Sequence, residues 1–244
     1  MERAGLGGKA SAFYLELSRN VVELLVLAGK KKGDLGVRLT SKTRAAMARA
    51  RGGEGGKRPV VIAASHTGNW EAAAFALARL EPVAVVAKRQ GVSSVERFIH
   101  ATRARFGVTV LLPRGAMANA ADALAKGTIV AMPIDQAPDR AEHGDVVDFL
   151  GADALVDRAP FVLAKRARAT VLVAVCEGSR VHVIDVLEAA DLVCPRAAAR
   201  RATRALEAHV RAFPTSWLWL HRRWKRVASR RLDVKKCSEF RQVA

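Results

Sequence analysis

The chain has 244 residues, half of them apolar and 5% aromatic, and a formal net charge of +18. This length suits one α/β domain with its own core, and the scarcity of aromatic residues disfavours a β-sandwich. Three widely spaced cysteines without a C-x-x-C pair indicate neither a disulfide framework nor a zinc site, and a reducing compartment fits them best. The positive charge would attract nucleic acid, an anionic bilayer or an acidic protein.

The first predicted element is an amphipathic helix over residues 11–29, followed by the basic run Lys30–Lys32. Its apolar residues recur at helical spacing: Tyr14, Leu17, Val21, Leu24, Leu25 and Ala28. Such a helix either docks on the core of its own domain, which the sequence favours slightly, or lies on a membrane surface. There is no stretch of 18 uncharged apolar residues and no apolar core of a signal peptide, so we expect no membrane span.

A second helix over 40–51 and the glycine-rich linker GGEGGKRP precede a region in which strands and helices alternate. Strands are predicted at 60–64, 83–87, 108–112, 128–132, 170–176 and 180–186, and helices at 70–80, 92–106, 116–126, 155–168 and 195–213. This alternation predicts an α/β fold with a mostly parallel central sheet flanked by helices. Ligands in such folds bind at the carboxyl ends of the strands.

Residues 133–154 show neither helical nor strand periodicity, and we predict a long functional loop there. The predicted organisation is an N-terminal helical segment with its linker (1–58), an α/β domain (59–232) and a C-terminal tail (233–244).

A histidine and a glutamate stand where the first strand gives way to a helix, in PVVIAASHTGNWEAAAFALARL. His66 follows the strand, Asn69 is a predicted helix N-cap, and Glu71 lies in the first helical turn. We expect the Glu71 carboxylate to accept a hydrogen bond from one nitrogen of His66, which leaves the other nitrogen free as a base for a substrate hydroxyl. The alternative is that Glu71 is only a first-turn acid stabilised by the helix dipole and that His66 fills a turn.

The C-terminal region is strongly basic and rich in tryptophan. Between Arg196 and Arg231 there are eleven Lys or Arg and one acidic residue, Glu207, and the same stretch holds Trp217, Trp219 and Trp224. This composition is typical of a membrane interface, although proteins that bind single-stranded nucleic acid combine the same residues. No helix-turn-helix, zinc finger or RNA-binding signature is present, so we expect a membrane surface as partner and no nucleic acid.

Five segments occur in a characteristic order: SHTGNWE, FIHATRARFG, MPIDQAP, VDFLG and FPTSWLWLHRRWK. Together they resemble the bacterial lipid A biosynthesis acyltransferases, the lauroyl and myristoyl transferases, over roughly Phe13 to Lys225. The resemblance implies a glycerolipid-acyltransferase-like α/β body, an H-x-x-x-x-D/E dyad, an acyl carrier protein thioester as donor, and neither metal nor cofactor. In this family a membrane helix usually precedes the body. None is recognisable here, and three explanations stay open: the sequence given lacks that helix, it begins at a late start codon, or the protein is a peripheral member of the family. For the sequence as given we expect peripheral attachment.

The resemblance assigns roles to individual residues. It implies that His66 is the general base with Glu71 as its partner, and that Arg103 binds substrate or stabilises charge near the acyl carbonyl. For the mechanism we also expect backbone amides near Gly68 as donors to the oxyanion. The further substrate-binding residues that it implies are Asp135, Gln136, His221, Arg222 and Arg223, and we add Asn69 from the predicted turn. The residues by themselves leave alternatives open: Arg103 as a solvated surface charge, Asp135 as a loop cap and His221 as a helix cap.

The activity implied is O-acyl transfer to a hydroxyl of a lipid A precursor or a related anionic glycolipid, at the cytoplasmic face of the inner membrane. A second possibility keeps the dyad but changes the acceptor to a lysophospholipid, an ornithine lipid or an inositol mannoside, with acyl-CoA as donor. A third is a non-enzymatic protein that binds nucleic acid, with steep salt dependence and no dependence on His66.

Overall fold

The computed structural model describes residues 1, 7–29, 36–53, 55–89, 91–221, 223–224 and 227. The helices are α1 (Ala10–Gly29), α2 (Ser41–Arg51), α3 (Trp70–Ala78), α4 (Ser93–Arg105), α5 (Ala116–Ala125), α6 (Ala159–Ala167) and α7 (Pro195–Ala212). The strands are β1 (Arg38–Leu39), β2 (Val60–Ala64), β3 (Val83–Val86), β4 (Val108–Leu111), β5 (Ile129–Pro133), β6 (Gly144–Phe149), β7 (Ala152–Asp157), β8 (Thr170–Glu177) and β9 (Arg180–Leu187). The basic run Lys30–Lys32 and the predicted tail lie outside the described residues.

Within the described residues, seven strands form one sheet in the order β1-β9-β8-β2-β5-β3-β4. Neighbouring strands run parallel except β8 and β9, which form an antiparallel hairpin. The predicted α/β fold with a mostly parallel sheet and an N-terminal helix is therefore confirmed. Because β1 pairs with β9, the segment before residue 58 contributes a strand to the same sheet. The division of the chain at residues 58 and 232 stays a prediction.

The core lies on both faces of this sheet. Alternate residues of a strand face opposite sides, so Val61 of β2 joins a cluster with α5, α6 and α7, whereas Ile62 joins a cluster with α2 and α3. Burial on both faces explains why the central strands read as continuous apolar runs. It also leaves the ends of the strands as the place where polar side chains reach solvent.

The predicted loop at 133–154 is partly wrong, because it contains most of an antiparallel hairpin of β6 and β7. The hairpin turns through Leu150 and Gly151, both with positive φ, as a two-residue turn of the I′ type requires. Leu-Gly is not among the pairs that mark such turns, so the sequence signal was weak. The next helix consequently begins at Ala159 and not at 155.

Helix α1 docks on the domain by one side only. Phe13 and Leu27 are buried. The opposite side exposes an apolar stripe: Tyr14, Leu15, Val21, Val22, Leu25 and Val26. None of the helices in the described part of the chain combines the length and the hydropathy that crossing a bilayer requires.

Candidate active site

His66 and Asp135 lie side by side at the carboxyl edge of the sheet. β2 and β5 are parallel neighbours whose last paired residues are Ala64 and Pro133, so the residues two positions beyond each strand end come together. The His66 Nδ1 atom lies 2.9 Å from Asp135 Oδ1. The backbone N–H of His66 donates to Asp135 Oδ2 at 2.6 Å. One carboxylate thus fixes both the position and the ring orientation of this histidine.

Trp217 completes the contacts of the Asp135 carboxylate. Its Nε1–H donates to Asp135 Oδ2 at 3.0 Å, and both side chains are fully buried. The tryptophan is held by pairing with the turn after β2: Trp217 forms an antiparallel bridge with Thr67, and the Leu218 N–H donates to the His66 carbonyl at 2.9 Å. Residues 216–218 therefore fix the positions of both His66 and Asp135 by contacts from outside the seven-stranded sheet.

The electrostatics of the pair suit a base. Burial alone lowers the pKa of His66, but the charge of Asp135 and the hydrogen bond to it outweigh burial and raise the pKa above its ordinary value of 6.5. For Asp135 burial raises the pKa, yet the neighbouring His66 and its hydrogen bonds hold that pKa well below its usual range. An ionised Asp135 therefore binds Nδ1–H, and Nε2 of His66 is left with the lone pair that accepts a proton.

A second imidazole faces the first. The rings of His66 and His221 meet edge to face with centroids 4.6 Å apart. The Gln136 amide nitrogen lies 3.4 Å from Nε2 of each ring. Burial, together with the charges of His66 and Arg223, lowers the pKa of His221 to about 4 although Asp135 acts to raise it, so this ring is neutral at pH 7. The structure thus brings the predicted residues His221 and Gln136 to the reactive nitrogen of His66.

The His66, Asp135 and His221 side chains also offer ligand atoms within 4.8 Å of one another, close enough for a divalent cation. However, both oxygens of Asp135 already accept hydrogen bonds, from His66 and from Trp217. This arrangement favours a role in proton transfer for the cluster.

Glu71 does not make the hydrogen bond that was expected from the sequence. Its carboxylate instead pairs with Arg103 of α4: Nε donates to Oε2 at 2.9 Å, and Nη2 donates to Oε1. Glu71 is the second residue of α3 and faces α4, whereas His66 is held toward β5 by Asp135. The catalytic role of Glu71 stays a prediction, and its negative charge does help to raise the pKa of His66.

Replacing Glu71 with glutamine is expected to lower kcat/KM by about a hundredfold, because the variant loses this charge and releases Arg103 from its fixed position. Glu142→Gln, at an exposed acid away from the site, is the matched control. A loss from Glu71→Gln as large as that from Asp135→Asn would make Glu71 the main partner of His66 and contradict the arrangement described here.

The turn between β2 and α3 is built from Gly68 and Asn69. Gly68 has φ +49°, and a Cβ there would lie 2.7 Å from the Cys176 carbonyl oxygen, so no other residue fits. Its N–H donates to the Ser216 carbonyl at 2.7 Å and is therefore occupied. The expectation that backbone amides near Gly68 bind the oxyanion stays a prediction. Asn69 caps α3 by accepting from the Ala72 N–H, which confirms the predicted N-cap.

The three C-terminal tryptophans do not form the exposed interface that their composition indicated. Trp217 is fully buried, and Trp219 and Trp224 are partly buried against the core. A tryptophan that was not predicted, Trp70, lies beside the site, with its ring centroid 5.2 Å from that of His66. Neither Trp70 nor Trp217 could be recognised beforehand, because the sequence does not tell which face an aromatic side chain takes.

Arg223 also lies in the interior. Its side chain has no exposed surface, one Nη donates to the Ile134 carbonyl at 3.0 Å, and the guanidinium stacks 5.2 Å from the Phe149 ring centroid. Burial lowers the pKa of Arg223 to about 10. In this conformation a lipid headgroup has no access to Arg223, so its role in substrate binding stays a prediction. Arg222, predicted to bind substrate, is outside the described residues.

The fold and the His66–Asp135 pair define an α/β protein with a histidine–carboxylate pair at the carboxyl edge of a parallel sheet, an arrangement suited to general-base catalysis. A family model, bacterial lipid A biosynthesis acyltransferase, matches residues 51–226, which include every residue of the site described above. A comparison with curated proteins gives no match. The chain belongs to the bacterial lipid A biosynthesis acyltransferase family and is an acyltransferase.

Proposed function

We propose that the protein transfers a fatty acyl chain from an acyl carrier protein thioester to a hydroxyl group of a lipid A precursor or a related glycolipid, at the cytoplasmic face of the inner membrane. The observation that carries this proposal is the His66–Asp135 pair, 2.9 Å apart, in a chain of the lipid A acyltransferase family. The base has its Nδ1 side fixed, and 20% of the imidazole surface is exposed, so a hydroxyl group can reach it.

The reaction follows from this geometry. Nε2 of neutral His66 takes the proton of the acceptor hydroxyl as that oxygen attacks the thioester carbonyl carbon. Asp135 stabilises the imidazolium that forms, as a carboxylate does in other histidine dyads. When the tetrahedral intermediate collapses, the carbon–sulfur bond breaks, and the leaving sulfur receives the proton from Nε2. The products are an ester and a free thiol, and His66 is neutral again.

The negative charge on the carbonyl oxygen in the intermediate needs a donor. The pair with Glu71 uses Nε and Nη2 of Arg103, and we assign Nη1 of the same guanidinium to the oxyanion. The bidentate pair fixes the plane of the guanidinium before substrate arrives, and preorganised donors of this kind contribute about 3 kcal/mol each in other enzymes. The Arg103 and Glu71 side chains are 13% and 9% exposed, so water screens them little.

The choice of donor and acceptor is supported by charge. The net charge of +18 favours partners that are strongly negative, and acyl carrier proteins and phosphorylated glycolipids are both acidic. Electrostatic attraction of this kind accelerates encounter more than it strengthens the final complex. We therefore expect the donor KM to rise with ionic strength.

Helix α1 supports the placement at a membrane. The Asn69 amide beside the catalytic turn donates to Glu23 of α1 at 3.1 Å, and Leu17 of α1 lines a narrow crevice with Trp70 and Leu218. The exposed apolar stripe on the other side of α1 is suited to insert at the headgroup boundary. A lipid acceptor would then reach His66 from the bilayer without passing through water.

The variant Val22→Asp/Leu25→Asp is expected to lower binding to vesicles of anionic phospholipid by about tenfold or more, since two carboxylates would enter the apolar boundary. Co-sedimentation measures the binding. Leu80→Asp/Val193→Asp carries the same kind of change at exposed positions outside α1 and is the control. Equal vesicle binding by the two variants would exclude α1 as the membrane contact.

Mass spectrometry of lipid products tests the proposed reaction. The purified protein is incubated with a lipid A precursor and either acyl carrier protein thioesters or acyl-CoA of several chain lengths. An ester product with the carrier protein donor is the expected result. No product with this donor, together with acylation of a lysophospholipid by acyl-CoA, would contradict the proposal.

A further inference from the structure

A basic groove lies on the same edge of the sheet as the dyad. It has a volume of about 490 Å³ and is formed by α4 and the ends of β3 and β4. Its lining residues are Arg89, Glu96, Arg97, His100, Ala101 and Leu112. β3 is parallel to β5, and β4 is parallel to β3, so the carboxyl ends of all three strands point the same way. From β2, which carries His66, to β4 there are three strand spacings, about 14 Å.

Helix α4 links the groove to the active site. Its last turn carries Arg103, which pairs with Glu71. His100 lies about one turn earlier and Arg97 about two turns earlier, roughly 9 Å from Arg103 along the axis. A ligand held by Arg97 and His100 would therefore bind to α4, the same helix that carries Arg103, to which we assign the oxyanion.

The charge of the groove is uneven. Its lining includes two arginines and a histidine against one acid, Glu96. Elsewhere arginines pair with carboxylates: Arg201 with Asp185 and Asp191, and Arg211 with Glu207. Within the described part of the chain, Arg89 and Arg97 have no such ion pair, so their guanidinium groups keep their charge available to a ligand. Lys88, next in the chain to Arg89, is by contrast paired with Asp139.

We propose that this groove binds a phosphate group of one of the two substrates. Guanidinium groups match phosphate oxygens in bidentate geometry, and His100 adds a ring N–H donor from α4. Ala101 and Leu112 give the groove a small apolar part that suits the carbon chain attached to such a phosphate. The inference rests on the proposed acyl transfer, in which the phosphate belongs either to the phosphopantetheine arm of the donor or to the headgroup of the glycolipid acceptor.

The double variant Arg89→Gln/Arg97→Gln tests this groove, with Arg200→Gln/Arg204→Gln on α7 as the control. All four arginines are exposed, and both variants remove two positive charges, so they differ in position only. Thermal unfolding of each variant should match that of the wild type. Calorimetry then compares an acyl-phosphopantetheine thioester with the acyl-pantetheine thioester that lacks the phosphate, and a phosphorylated glycolipid with its dephosphorylated form.

In the wild type and in the α7 control, one of these two pairs is expected to show a phosphate-dependent gain in affinity of about tenfold or more. In the groove variant that gain is expected to disappear. Phosphate dependence within the first pair assigns the groove to the donor arm, and within the second pair to the acceptor headgroup. Phosphate dependence that is absent from the wild type, or that survives in the groove variant, would overturn the proposal.

Turnover separates this proposal from the proposed function. If the wild type binds the phosphate through Arg89 and Arg97 but transfers no acyl chain to any glycolipid, the acyl-transfer function is contradicted. The proposal that the groove binds phosphate would still stand. If acyl transfer occurs and neither substrate has a different KM in the groove variant than in the wild type, the proposal that the groove binds phosphate is contradicted. The acyl-transfer function would still stand.

Discussion

The His66→Gln variant is expected to lose acyl transfer by about ten-thousandfold or more, because glutamine cannot accept the hydroxyl proton at neutral pH. The backbone N–H of residue 66 would still donate to Asp135, and the pairing of residues 66–68 with 216–218 uses backbone atoms only, so the fold is expected to persist. The measurement is the initial rate of ester formation with the proposed carrier protein donor.

His143→Gln is the control for this variant, since His143 is an exposed histidine outside the site. Its rate should equal that of the wild type. If His66→Gln kept more than about a tenth of the wild-type rate, the base would have to be another group.

The Asp135→Asn variant is expected to lower kcat/KM by about three to four orders of magnitude, close to the loss from removing the base itself. In a comparable serine-protease dyad the change from Asp to Asn costs about ten-thousandfold, because the amide leaves the histidine in the wrong tautomer. Here the amide oxygen could still accept from Trp217 and from the backbone of residue 66, which limits the structural damage.

Asp122→Asn, at an exposed aspartate of α5, controls for the loss of one negative charge. The comparison with Glu71→Gln is equally informative, since the two acids make different contacts. We expect Asp135→Asn to be the slower of the two, and the reverse order would contradict the assignment of Asp135 as the partner of His66.

The pKa of His66 provides a test that needs no substrate. NMR titration of the His66 ring is expected to give a pKa above 6.5 in the wild type and a lower pKa in Asp135→Asn, where burial is no longer outweighed by the carboxylate. A base works in its neutral form, so kcat/KM in the wild type should rise with pH through the His66 pKa and then level off. An unchanged His66 pKa in Asp135→Asn would contradict the proposed electrostatics.

Local sequence signals were sufficient for six of the nine strands in the described part of the chain and for the turn between β2 and α3. The runs of β-branched residues placed β2, β3 and β4 to within one residue of their observed ends, and Asn69 was recognised as the cap of α3. These features depend on neighbours in the chain. His66 could be assigned as a candidate base for the same reason, since it follows an apolar strand and precedes a helix.

The partner of His66 could not be chosen from the sequence, because it depends on strand order. Strands that follow one another in the chain are usually neighbours in the sheet, which would place β3 beside β2. In this sheet β5 lies between them, and that insertion brings Asp135 to His66 across 69 positions of the chain. Glu71 was nearer in sequence, but its side chain faces Arg103 on α4.

The C-terminal tryptophans illustrate a second limit. Tryptophan next to arginine has the same composition on a membrane surface and in the interior, and only packing decides between them. Trp217 can be buried because its Nε1–H donates a hydrogen bond to Asp135. The buried guanidinium of Arg223 contacts the Ile134 carbonyl and the Phe149 ring. All three partners come from distant parts of the chain.

The double variant His66→Gln/Asp135→Asn tests most directly whether the two residues act as one base. If Asp135 works only through His66, the double variant should be no slower than His66→Gln alone, within about a factor of three. A further loss of about a hundredfold or more in the double variant would mean that Asp135 acts on the substrate independently, and would contradict the dyad.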